Sequence, residues 1–177
     1  MNSSKFSFFL FTLSVILISH YPIPALGESL YESICKETID TDIGTVSSCI
    51  QLLKEDPRIP SAKNYLELSK FILEFGVKKG KEGQNYMKKI AKAHPTEAVK
   101  LCANSYYDYA IGSFQSAILE LKEDILTATY DAKVAGDGPA YCADILAEIK
   151  IENPLINKEV SLISVVAFLS TNHLLKA

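Results

Sequence analysis

From Leu30 onward, apolar residues return at spacings of three and four with few alternating stretches, which predicts helices and leaves little room for strands. Two short segments come first, Leu30 to Ile39 and Thr45 to Leu53, each too short to hold together alone. The prolines of Asp56-Pro57-Arg58-Ile59-Pro60 then end one region and open another. The stripe Tyr65, Leu66, Ser69, Ile72, Leu73, Gly76, Val77 resumes at Met87, Ile90 and Ala91 and predicts a first long helix, frayed or kinked at Gly80 and Gly83. His94-Pro95-Thr96-Glu97 reads as a helix start with Pro95 in the first turn. The second long helix is expected to turn Ala98, Leu101, Cys102, Ser105, Tyr109, Ala110, Ala117 and Leu121 to the core. After the polar turn Lys122-Glu123-Asp124, a third helix carries Ile125, Leu126, Thr129 and Ala132. Gly136-Asp137-Gly138-Pro139 interrupts it before Cys142, Ile145, Leu146 and Ile149. Asn153-Pro154 closes that element, and Asn157 is the expected N-cap of a last helix bearing Val160, Ile163, Val166, Ala167, Ser170 and Leu174 on one side. Four long amphipathic helices with short connections predict an all-α, up-and-down four-helix bundle, with the N-terminal helical hairpin as an appendage.

The stretch before residue 28 has a different character. Lys5, the apolar run Phe6 to Ile18 and the small residues at Ala25 and Gly27 read as a secretory signal peptide over residues 1–27. The apolar run is too short to span a bilayer, and Pro22 and Pro24 keep a helix from lengthening it. The remaining 28–177, about 150 residues, suits one domain: a hairpin over 28–56 and a bundle over 61–177. With Lys5 gone, 17 basic residues face 21 acidic ones and neither sign forms a long run, which argues against nucleic acid as a partner. Cys35, Cys49, Cys102 and Cys142 all follow the leader, and an even count in an exported chain implies two disulfides. Of the three possible pairings, sequence proximity favours Cys35 with Cys49 and Cys102 with Cys142, worth roughly 3 to 4 kcal/mol each through the unfolded state.

Catalytic signatures are missing from the sequence. There is no G-x-S-x-G, H-E-x-x-H or G-x-G-x-x-G, and the cysteine spacings do not suit a metal, so neither cofactor nor metal is expected and the chain reads as a non-enzyme. His94 and His173, distant in sequence, are expected in structural or surface roles. Asp124, Asp131, Asp137 and Asp144 read as solvated charges and caps. Tyr106, Tyr107 and Tyr109 share one turn and cannot all face the core, so one is a candidate interface anchor. The segment Val160 to Leu175 contains too many polar residues for a lipid-anchor signal and reads as a buried bundle helix. No N-x-S/T sequon follows the leader.

Several segments together carry a resemblance. Ile34-Cys35-Lys36-Glu37-Thr38, Cys49, Asp56-Pro57-Arg58, Leu101-Cys102-Ala103-Asn104-Ser105-Tyr106-Tyr107-Asp108-Tyr109-Ala110, Tyr141-Cys142-Ala143-Asp144 and Asn153-Pro154-Leu155 occur in an order that resembles the plant invertase and pectin methylesterase inhibitors across the mature chain. The resemblance implies a hairpin-capped four-helix bundle with sequential disulfides that forms a stoichiometric complex with a cell-wall or vacuolar enzyme. It also implies that the second and third bundle helices cover the target's active-site cleft. The long Cys35–Cys49 segment, without a proline before the second cysteine, is similar to the invertase-inhibitor-like subset that includes pollen allergens. The Pro-Lys-Phe motif of known invertase inhibitors is absent from the matching Asp124-Ile125-Leu126-Thr127.

The expected function is therefore steric inhibition of pectin methylesterase or acid invertase by a secreted protein of the apoplast or vacuole, monomeric or weakly dimeric. Glu120, Lys122, Glu123, Asp124 and Thr127 are the expected contacts with the target. Two alternatives stand beside it: a helical bundle that holds a small apolar ligand, and an allergen-type protein of the same fold without inhibitory activity.

Overall fold

The computed structural model describes residues 28–38 and 44–176. The expected signal peptide and Ile39, the expected end of the first helix, lie outside the described residues. The described elements are α1 (Leu30–Glu37), α2 (Val46–Leu53), α3 (Tyr65–Ala93), α4 (Glu97–Leu101), a π-helical turn (Cys102–Tyr106), α5 (Tyr107–Glu120), α6 (Ile125–Val134), α7 (Asp137–Glu148) and α8 (Leu155–Leu174). There is no strand among the described residues.

Four of the helices start where a short polar side chain can accept a free backbone N–H. Thr45, Asn64, Thr96 and Asp124 cap α2, α3, α4 and α6 by accepting from the N–H three residues on, at 2.9 to 3.2 Å. Pro95 precedes the cap at Thr96 rather than occupying the first turn. The last helix starts earlier than expected: Pro154 is its N-cap and Asn157 is a buried residue of the first turn. α7 ends on Lys150, whose φ of 57° is left-handed, with Ile151 N–H donating to the Leu146 carbonyl at 2.8 Å and Lys150 N–H to that of Ala147 at 3.0 Å. This is a Schellman stop with lysine where glycine is usual.

α3, the α4–α5 rod, the α6–α7 rod and α8 form a four-helix bundle. α3 and α6 each pack against both α5 and α8, which puts α3 and α6 on opposite corners. Leu68, Ile72, Leu73, Phe75, Phe114, Ala117, Val160, Ile163 and Val166 fill the centre. The buried side of α6 is made of Ala128, Thr129 and Ala132, continued by Ala135 at its C-cap, and small side chains there suit close approach of neighbouring helices. Leu126, expected in the core, is 69% exposed, because the Asp124 cap starts the helix in a phase that leaves it on the outer side.

The expected weak point of α3 is instead its tightest seam. α3 runs unbroken for 29 residues, and Gly76, Gly80 and Gly83 are buried. A Cβ on Gly76 would lie 2.8 Å from the Phe114 ring, one on Gly80 2.9 Å from Ile111, and one on Gly83 inside the van der Waals surface of Tyr107. Tyr107, Ile111 and Phe114 are themselves a four-and-three ridge, so the three glycines make the groove that receives it. The seam also corrects the choice of tyrosine. Tyr107 is fully buried, while Tyr109, expected inside, is 50% exposed, and Leu101 and Ser105 face out as well. The π-helical turn contributes, since its wider winding displaces the phase of everything downstream relative to a 3.6-residue count. Buried Tyr107 donates to Asn157 Oδ1 at 2.6 Å, and Asn157 Nδ2 donates to Asn153 Oδ1 at 2.9 Å. The first turn of α8 is thereby tied to the α5 seam.

The hairpin is seated on the bundle rather than free of it. The Cys35–Cys49 bond, with Cα atoms 5.7 Å apart, joins α1 to α2. Tyr31, Ile34, Leu52 and Leu53 are buried. Ionic and polar contacts hold the seat. His173 Nε2 of α8 lies 2.8 Å from Glu37 Oε1 of α1, and the imidazole stacks on Tyr65 of α3 at 4.3 Å. Lys79 of α3, 7% exposed, reaches Glu55 at 2.8 Å and Glu159 of α8 at 2.9 Å. Burial alone would push the Lys79 ammonium down, but the bonds to Glu55 and Glu159 outweigh it and its pKa is raised. Arg58 in the connector holds Asp56 at 2.7 Å and Glu74 of α3 at 2.6 Å, with its guanidinium 5.1 Å from the Phe71 ring centroid.

The third rod is broken where the sequence expects. At the end of α6, the Ser164 hydroxyl of α8 is shared between the carbonyls of Ala132 (2.7 Å) and Lys133 (2.9 Å), which lie beside the break. A Cβ on Gly136 would sit 2.9 Å from that hydroxyl. Cys142 of α7 is bonded to Cys102, with Cα atoms 5.5 Å apart, which ties the third rod to the start of the second.

Candidate functional site

The five expected contact residues occupy the bend between α5 and α6, in three different situations. Glu120 is half-buried, and its carbonyl accepts from the N–H of Glu123 (3.1 Å) and of Asp124 (2.9 Å), which stops α5. Asp124 and Thr127 serve one another: the carboxylate accepts from the Thr127 N–H at 3.1 Å and from its hydroxyl at 2.7 Å. Those two bonds, the backbone one first, hold the Asp124 carboxyl below the usual aspartate range. Lys122 and Glu123 are exposed, and neither has an ion-pair partner among the described residues. They border a surface groove of about 350 Å³ with Leu66, Glu67 and Lys70 of α3 and Ile118, Leu119 and Leu121.

Sequence reasoning passed over the apolar part of this region. Leu119 is 75% exposed, Leu126 69% and Tyr130 63%, all within a few residues of the bend. Large apolar side chains gathered beside charged ones are what a protein-binding surface presents, with the tyrosine a suitable anchor. One signal was available: Leu119 lies between the buried Ala117 and Leu121 and is out of phase with both. Leu126 gave none, because apolar residues in a first turn are usually counted into the core. Further along the same two rods, Tyr106 and Tyr141 pair at 5.7 Å beside the Cys102–Cys142 bond, and Tyr141 is 58% exposed.

Among the described residues no group of three or more His, Cys, Asp or Glu could hold a metal ion, and no helix is long and apolar enough to cross a membrane. His94 is exposed just past α3, far from the His173 contact with Glu37. A second groove, of about 440 Å³, lies between α2 and α8 with Leu52, Leu155 and Leu162 as its apolar wall. It is open to solvent, and the bundle core itself is filled by side chains.

No family model matches the sequence, and no curated protein matches it. The structure is similar to the crystal structure of a mutant form of a pectin methylesterase inhibitor from Arabidopsis, with a TM-score of 0.65 and 19% identity over 82% of this chain and 97% of that one. At that identity the likeness establishes the fold: over the matched 82% the chain shares the all-helical architecture of that inhibitor.

Proposed function

We propose that this chain is a secreted inhibitor that docks on a pectin methylesterase and blocks its active site, through the bend between α5 and α6 and the adjoining faces of both helices. The observation that carries the reading is the fold likeness to a pectin methylesterase inhibitor over nearly the whole of that protein. The exposed Leu119, Leu126 and Tyr130 beside unpaired Lys122 and Glu123 supply a surface suited to the task. The capped Asp124–Thr127 turn keeps that surface rigid, so little conformational freedom is lost on docking. In this reading residues 1–27 direct export and are removed, 28–177 act as one inhibitor domain in the apoplast, and two disulfides suit that compartment.

The test is a parallel assay of the purified chain from Glu28 against pectin methylesterase and acid invertase. Saturable, near one-to-one loss of methylesterase activity is expected. Leu126→Asp combined with Tyr130→Ala should raise the concentration for half-inhibition at least about tenfold, or about 1.4 kcal/mol. Full methylesterase activity at large molar excess refutes the reading, and inhibition of invertase alone reassigns the target.

A further inference from the structure

The outer face of the second half of α3 carries an accumulation of positive charge that neither the fold nor the proposed docking explains. No run of charge marks it in the sequence, but helical winding gathers it. Lys78, Lys81, Asn85, Lys88 and Lys92 succeed one another at spacings of three and four, so they form one line about 21 Å long. Lys89 flanks the line, and all six residues are exposed. Among the described residues, none of the five lysines has a carboxylate within ion-pair distance. Lys78 acts on Asp56 through space, but Arg58 already grips that carboxylate. Glu82 is the single acid between Lys78 and Lys92 in the sequence.

The first half of the same helix is different. There Lys70 has Glu74 four residues on at 3.9 Å, and Glu67 accepts from the Lys63 N–H at 2.9 Å. A favourable interaction with the helix dipole reaches only the last turn, so it accounts for Lys92 and its neighbour but not for Lys78, Lys81 or Lys88. Burial of lysine stems does not account for them either, because the one lysine of this stretch that packs inward is Lys79. Four unpaired lysines on one line, with a fifth beside it, thus stand out on a chain whose net charge is −3.

We propose that this lysine line binds a linear polyanionic polysaccharide with closely spaced carboxylates, the chemistry of a pectin whose methyl esters have been removed. The identity of the polymer rests on the proposed function, since a methylesterase converts neutral ester groups into such carboxylates. Disulfides place the chain in an oxidising compartment, which favours a wall polysaccharide over nucleic acid as the polyanion. The line lies on the helix diagonal to α6, so polymer and target enzyme can be held at the same time. An inhibitor so equipped concentrates where the enzyme has already worked.

The test needs no enzyme, so its failure is distinct from failure of the inhibitor reading. The chain from Glu28 is run in native gels containing polygalacturonate or highly methyl-esterified pectin of similar length, near pH 6. Retardation by polygalacturonate is expected, at least about tenfold stronger than by the esterified polymer. It should weaken by about tenfold or more between 50 and 200 mM salt, as attachment through several lysines requires. The variant Lys78→Gln/Lys81→Gln/Lys88→Gln/Lys92→Gln should lose the retardation while keeping its helical circular dichroism and any inhibition of the enzyme. No retardation at low salt, equal retardation by both polymers, or retardation that survives the four substitutions would overturn the proposal. Equally tight binding of duplex DNA would overturn it too, by making the face a general anion surface.

Discussion

Two seams of this molecule are held by different forces. Between α3 and α5, Gly76, Gly80 and Gly83 receive Phe114, Ile111 and Tyr107, so shape sets the register, with one exposed polar contact from Gln84 to Asp108 at its edge. Between the hairpin and the bundle, Glu37 meets His173, Lys79 bridges Glu55 and Glu159, and Arg58 joins Asp56 to Glu74, so charge sets much of the seat. A shape seam fails sharply when an atom is added and ignores pH. A charge seam tolerates changes of volume and responds to the loss of one partner or to protonation. The bundle is therefore the less adjustable unit of the two.

The largest effect is expected in the shape seam. Gly83→Ala should cost about 3 kcal/mol, read from urea unfolding, because the new methyl has only the Tyr107 ring to move, and that ring is fixed by its bond to Asn157. An ordinary helix glycine behaves in the opposite way. Gly112, exposed with nothing within 4 Å of an added Cβ, should gain about 0.5 to 1 kcal/mol as Gly112→Ala. If the two substitutions change stability in the same direction, the groove is not what holds the seam.

Next comes the charge seam. Lys79→Ala should cost about 2 kcal/mol, below the usual figure for breaking a buried pair because Glu55 is 47% exposed and can turn to water, whereas Glu159 is 19% exposed and is left facing apolar surface. A Lys79→Met variant as stable as the parent would show that the stem, not the charge, matters there. The smallest effect concerns acid. The Arg58 side chain holds the Asp56 carboxyl below the usual aspartate range, chiefly by hydrogen bonding. A carboxyl lowered on folding contributes stability that is present above its ordinary pKa, near 3.9, and is lost as the pH falls through the lowered value. Asp56→Asn should thus cost at most about 1 kcal/mol at neutral pH and nothing once acid has protonated the carboxyl in the parent, with melting temperatures of the two proteins converging on acidification.

The same contrast separates what the sequence made legible from what it hid. Helix order, the break at Gly136, the polar bend at Lys122-Glu123-Asp124 and the four-helix architecture follow from periodicity and punctuation, which are local. Gly80 and Gly83 were misread because glycine propensity describes a helix in water, and here the missing side chains are filled by another helix. Tyr109, expected inside, faces out for that reason and because a π-helical turn shifts the phase, and Tyr107 takes the buried position. Asn157 looked like a cap until its partner Tyr107, fifty residues away, came into view. At the candidate site, the charged bend could be read locally, but the outward-facing Leu119 and Leu126 depend on how each helix is rotated in the assembled bundle. The lysine line is hidden in the sequence for a related reason, since its members are spread along it and only the winding of α3 aligns them.

The interruption at Gly136 also bears on how such a protein can change. A continuous rod would transmit any tilt at its tip to the half-cystine at its far end. Here the Ser164 hydroxyl of α8 holds the end of α6 and the disulfide holds α7, so the outward face of α6 can be resurfaced while Cys142 stays in register with Cys102. Side chains on the outer face at one end of the third rod can thus be exchanged, while the disulfide at the other end preserves the scaffold.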